Sequence, residues 1–164
     1  NFSTNETQSG LQPYCAKHIH KYLIYIFNLF CIVKKQIESR EDISFLVNQF
    51  YSKIRADEEI GFYFNEMITD WDAHLEKLTD FWETNLFAVK KYKGNPHEVH
   101  NEVDAHFDEK ITTNEFGIWL NHWFQTIDEH FEGENAETLK RRARKMSTFL
   151  FMSMFQHRQK ESEV

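Results

Sequence analysis

The sequence predicts an all-α fold, and three observations carry that expectation. After Arg40 the hydrophobic residues recur at helical spacing and no stretch alternates convincingly as strand. Glycine and proline are scarce, 5 and 2 in 164 residues, which favours long helices and few turns. Aromatic residues reach 16%, with 16 Phe, 6 Tyr and 4 Trp. That much ring surface suits wide helix–helix spacing and a large apolar ligand.

The elements follow in order. Phe45, Leu46, Phe50 and Ile54 mark a first helix over about residues 41–56, with Ser39 or Asp42 as N-cap. After the acidic break Asp57-Glu58-Glu59, residues Glu59 to Phe64 form a short helical turn. Trp71, Leu75, Leu78, Phe81, Trp82 and Leu86 define a long amphipathic helix over about residues 70–90. Lys90, Lys91 and Lys93 suit its negative end, and Gly94 is its expected terminator. Asn95-Pro96 opens a short helix, an N-cap followed by proline at the first helical position. Asn101 to Lys110 is polar and ambiguous. Thr112 or Thr113 caps the next helix, striped by Phe116, Trp119, Leu120, Trp123, Phe124, Ile127 and Phe131 and stopped by Gly133. Leu139, Ala143, Met146, Phe149, Leu150 and Met154 place the last helix over about residues 135–157.

The length suits one domain with a substantial core, and the hydrophobic fraction of 41% makes it globular. A net charge of −7 argues against a nucleic-acid partner. The one basic run, Lys140-Arg141-Arg142-Ala143-Arg144-Lys145, reads as the solvated face of a helix. Residues 1–33 stand apart as an N-terminal extension. They hold one acid, Glu6, no methionine, and both cysteines, Cys15 and Cys31. Their apolar run from Tyr22 to Val33 is too short to span a bilayer. Its composition resembles translated AT-rich non-coding sequence, so the native protein is expected to begin near Val33, with a membrane-associated helix as the alternative. Residues 34–164 are the expected functional domain, without thiols for a disulfide or thiolate metal site.

Chemistry is suggested by histidines on apolar faces. His74 shares a face with Trp71, Leu78 and Phe81. His100 lies one turn into the helix opened by Pro96, with Val99 and Val103 as apolar neighbours. An imidazole facing an apolar slot wants a proton partner or a metal, and aromatics between two such residues suggest a pocket for a flat iron cofactor. His100 is the best-placed axial ligand and His106, beside Phe107, the alternative. His97 points to solvent or to a haem carboxylate. On the opposite side His74, Tyr51 and Trp119 can offer polar groups. Each alone is more often a core residue; the combination carries the weight. Other metal centres fit less well. No histidine has an acid three residues before it, as a di-iron bundle needs. His97-x-x-His100 lacks a second pair for zinc. No phosphate loop or nucleophile elbow occurs.

These residues resemble a known family. Residues about 40–157 are similar to the truncated, two-over-two haemoglobins, and specifically to group III. The blocks are Phe50-Tyr51-Ser52-Lys53-Ile54, Ile60-Gly61-Phe62-Tyr63-Phe64-Asn65, Trp71-x-x-His74 with Phe81-Trp82, Tyr92-Lys93-Gly94-Asn95-Pro96 leading to His100, and Phe116-x-x-Trp119-Leu120-x-x-Trp123-Phe124. The glycine-pair motifs of the other truncated groups are absent. The stretch from His100 to Trp119 is longer than the family pattern, which keeps His106 as the alternative.

The resemblance implies a two-over-two helical sandwich around haem b. It implies His100 as the iron ligand, Tyr51, His74 and Trp119 on the distal side, and Phe50, Phe64, Leu78, Phe81 and Trp82 lining the pocket. Val103 and His97 join the expected cofactor contacts. The implied activity is binding of O₂, NO, CO, peroxide or nitrite at a histidine-ligated iron, by a cytoplasmic monomer or weak dimer, with oxygen transport as one use. Two other activities are a haem peroxidase, with His74 moving the proton, and an NO-detoxifying enzyme. Turnover needs an external reductase, because nothing here binds flavin or nicotinamide. A cofactor-free helical interaction protein is the remaining alternative.

Overall fold

The computed structural model describes residues 34–161, and the expectations for residues 1–33 lie outside the described residues. Helix α1 (Arg40–Ala56) starts from a reciprocal cap. The Asp42 amide donates to Ser39 Oγ at 3.2 Å, and the Ser39 amide donates to the Asp42 carboxylate at 3.1 Å. Lys35 pairs with the same carboxylate at 2.5 Å. At the far end Asp57 Oδ1 accepts the amides of Glu59 and Ile60, each at 2.9 Å, and turns the chain into α2 (Gly61–Met67). Gly61 is required there, since a Cβ would sit 2.8 Å from the Ile54 carbonyl oxygen.

Helix α3 (Trp71–Phe87) is capped by Asp70, which accepts the Ala73 amide at 3.0 Å. It ends earlier than its pattern suggests. Ala88, not Gly94, takes the left-handed position that stops it, with φ 58°. Helix α4 (Pro96–His106) has the expected Asn95 cap and leading proline, yet it is longer than expected. Asn101 to His106 is helical because Asp104 is buried against a partner from the end of the chain. Asp108 and Glu109 then take left-handed backbone, and the Glu109 amide closes the turn on the Asp104 carbonyl at 2.9 Å.

Thr112 and Glu115 form a second reciprocal cap for α5 (Thr113–His130). That helix stops before Gly133 because Phe131 is drawn, extended, into the core beside a bridge to Lys35. Gly133, at φ 91°, instead opens α6 (Glu134–Glu161), where its carbonyl accepts the Glu137 amide. The basic run of α6 is only partly solvated. Lys140 is buried and bonded to Glu137 at 2.9 Å and to Asp128, and Arg144 lies 4.4 Å from the Phe124 ring centre.

Helix α1 packs on α3 and α5, and α6 packs on α4, α5 and α3. One layer is the α1–α3 pair and the other the α5–α6 pair, a two-over-two sandwich. Between them the Trp82 and Trp123 rings stack at 4.5 Å, Trp119 stacks on Trp123 at 5.8 Å, and Phe50 meets Trp119 and Trp123 edge-on. Such ring pairs add about 0.5–1.5 kcal/mol each beyond the area they bury. No helix among the described residues is long and apolar enough to cross a membrane.

An ion-pair network ties the start of α1 to α3. Arg40 reaches Asp80 at 2.6 Å and also Glu83 and Glu76, while Lys91 bonds both Glu83 oxygens at 3.0 Å. Burial alone would raise the Glu83 carboxyl; the bonds from Lys91 and Arg40 outweigh it and hold it below the usual range. Burial and the Lys35 bond compete in the same way at Asp42, which also ends low. A carboxylate with a depressed folded value contributes stability above its unfolded value and loses it as pH falls. Urea unfolding should therefore show stability falling below about pH 4. Glu83→Gln should lose roughly 1–2 kcal/mol at pH 7, because Lys91 is screened by solvent, and should flatten that acid dependence. An unchanged acid slope in the variant would contradict this.

Candidate functional site

Helices α3 and α4 face one another across a cavity of about 310 Å³, within the range of small-molecule sites. One wall carries Tyr51 from α1, Phe64 from α2, His74, Leu78, Phe81 and Trp82 from α3, and Trp119 from α5. The other carries His100 and Val103 from α4 with Met146 and Leu150 from α6. Nine of the residues singled out in the sequence thus converge on one space: Tyr51, Phe64, His74, Leu78, Phe81, Trp82, His100, Val103 and Trp119.

Three others stand elsewhere. Phe50 is fully buried behind the wall, 4.8 Å from the Tyr51 ring. His97 is exposed on the first turn of α4 and is not part of the lining. His106 is also outside it, with Nε2 2.8 Å from Glu66 Oε1 and both side chains largely exposed.

His100 is held by a short local bond. Its Nδ1 lies 2.6 Å from the Pro96 carbonyl oxygen. A carbonyl only accepts, so the ring proton sits on Nδ1 and the Nε2 lone pair is left for the cavity. Burial holds the His100 imidazole below its ordinary value, with the Pro96 bond acting the other way. His74 is lowered too, first by burial and then by the charges of Lys77 and His100.

Tyr51 and Trp119 act on each other. Burial pushes the Tyr51 phenol up, and the Trp119 indole N–H bonded to its oxygen offsets part of that rise. Tyr51 also meets Phe64, Trp71 and His74, all with ring centres near 6 Å. Its hydroxyl position is therefore fixed by packing on three sides.

Lys77 and Tyr92 also line the cavity, which the sequence does not mark. Lys77 is exposed, Tyr92 half-buried, so their polar ends suit the carboxylates of a ligand whose body lies inside. Nothing in the sequence separates Lys77 from other surface lysines except its place one turn after His74. Among the described residues no three His, Cys, Asp or Glu side chains converge to hold a bare metal ion. One neutral imidazole facing an apolar slot instead fits a metal that brings its own planar ligands.

A family model described as bacterial-like globin matches residues 35–156. The group 3 truncated haemoglobin of Campylobacter jejuni is 26% identical over 120 residues, covering 71% of this chain and 91% of that relative. The crystal structure of a group III truncated haemoglobin from Campylobacter jejuni matches with a TM-score of 0.66 at 25% identity, covering 74% of this chain and 95% of that one.

The depressed imidazoles have a measurable consequence. In the cofactor-free protein His74 and His100 should titrate below about pH 6.5 in NMR spectra. Their neutral forms are favoured by folding, so the stability they contribute is present above that pH and is lost on acidification. A His100 resonance titrating at or above the ordinary value would contradict the buried, Pro96-bonded geometry.

Proposed function

This chain belongs to the bacterial-like globin family, whose members bind haem, and from that premise we propose that it holds haem b between α3 and α4 with His100 as axial ligand. The observation that supports this most is the Nδ1 bond to Pro96, which leaves Nε2 of His100 free on an apolar wall. Haem, when bound, supplies an iron with an open coordination position for O₂, NO, CO or a related small ligand.

The chain's own residues do the rest. Val103, Phe64, Leu78, Phe81 and Trp82 exclude water from the slot, with Phe50 packed behind them. Lys77 and Tyr92, with His97 beside the first turn of α4, serve the haem carboxylates. On the distal side Trp119 donates to Tyr51, and Tyr51 donates onward to the ligand. A donor that is itself hydrogen-bonded is polarised and donates more strongly. Such a clasp slows ligand release, which suits ligand chemistry better than oxygen transport. Turnover then draws electrons from an external reductase, in keeping with a cytoplasmic setting.

Spectra of the purified chain given haem test this reading. Wild type and His106→Ala should show an imidazole-ligated haem, and His100→Ala should lose it. Tyr51→Phe should release O₂ about tenfold faster, the effect of one lost hydrogen bond of about 1–2 kcal/mol. A folded but colourless wild type would support a cofactor-free interaction protein, and loss of ligation in His106→Ala would move the site.

A second reading, peroxide chemistry, is favoured by one observation. His74 is kept neutral by burial beside Tyr51, so it can accept a proton on the distal side. Under that reading His74→Ala slows peroxide consumption at least tenfold, and an unchanged rate in the variant would sink it.

A further inference from the structure

Asp104 lies one turn beyond His100, on the same side of α4. Its carboxylate is 3% exposed and meets Arg158 of α6 fork to fork, Nε to Oδ2 and Nη2 to Oδ1, both at 2.6 Å. The same Nη2 donates to the Ile111 carbonyl at 2.6 Å. Ile111 is buried and lines the cavity. One guanidinium therefore joins the helix that carries His100, the loop that follows it, and the last helix. Ser153 adds a bond to Asn101 of α4 at 3.3 Å.

Among the described residues the other half of α4 has no such tie. Asn95, His97, Glu98 and Val99 are exposed, and the residues before them are mostly exposed loop. A buried ion pair contributes little net stability compared with apolar packing. What a planar, always-charged fork contributes is direction: two parallel bonds permit one orientation. Rotation of α4 about its axis would break both bonds at Asp104.

We propose that Asp104, Arg158 and the Ile111 carbonyl form a clamp that positions the axial imidazole, fixing the rotation of α4 and thereby the angle at which His100 Nε2 meets the iron. The clamp rests on the haem reading with His100 as ligand. Neither Asp104 nor Arg158 lines the cavity, so the pair acts through His100.

Resonance Raman spectra of the ferrous, haem-loaded full chain read that angle through the iron–imidazole stretch. Wild type should give one narrow band. Asp104→Asn and Arg158→Lys, which keep size or charge but lose the fork, should shift the band to lower frequency and broaden it, and haem loss should quicken severalfold. Ile127→Val, a core truncation remote from α4, serves as the control for mere destabilisation and should leave the band in place. Bands in both variants identical to wild type would overturn the clamp while leaving the haem reading intact. A shift of equal size in Ile127→Val, or failure of both clamp variants to fold, would assign the pair to stability alone and overturn it too. Absence of any imidazole band in wild type would instead remove the haem reading itself.

Discussion

The bond from His100 Nδ1 to the Pro96 carbonyl is the contact on which the proposed site depends. It is local, because Asn95 and Pro96 start α4 and a carbonyl on the first turn faces the side chain four residues on. The bond settles which ring nitrogen carries the proton and so which one is left to bind. Without it, a neutral imidazole on an apolar wall could present either edge. With it, Nε2 is the nitrogen whose lone pair is left unused, and the ring plane is held by the Pro96 carbonyl.

A polar group facing such a cavity is costly unless it has a partner. The same rule shapes the opposite wall. Tyr51 is wedged among Phe64, Trp71 and His74, and the Trp119 indole partly offsets the rise that burial imposes on its phenol. The stack of Trp119, Trp123 and Trp82, with Phe50 across its edges, leaves little room for Tyr51 and Trp119 to shift. Among the described residues Trp123 Nε1 has no hydrogen-bond partner at the centre of this stack. The geometry of the rings has been kept at the expense of that one donor.

Sequence and structure agree where the cause is local. Asn95 with Pro96 is legible, and Ser39 and Thr112 are among the caps the sequence offers, because a cap acts within four residues; the reciprocal bonds to Asp42 and Glu115 are added by the structure. His74, Leu78 and Phe81 are legible as cavity residues because helical spacing puts them on one face of α3, whereas Tyr51 and Trp119 come from other helices and were marked by the family resemblance. The second half of α4 is not, since its helix rests on Asp104 meeting a residue 54 positions away. Ala88 stops α3 in a conformation more often given to glycine, and composition offers no sign of it. Lys140 reads as solvent-exposed until Asp128 and Glu137 are seen to enclose it. The choice between His100 and His106 is likewise open in sequence; in the fold His100 lines the cavity and His106 pairs with Glu66 at the surface.

The most direct measurement is a crystal structure of the haem-loaded chain, read at a single atom. The predicted result is iron bonded to Nε2 of His100, with Nδ1 still on the Pro96 carbonyl and the haem face opposite under Tyr51. Iron held by His106 or His74, or by the Nδ1 edge of His100 with the Pro96 bond broken, would contradict it.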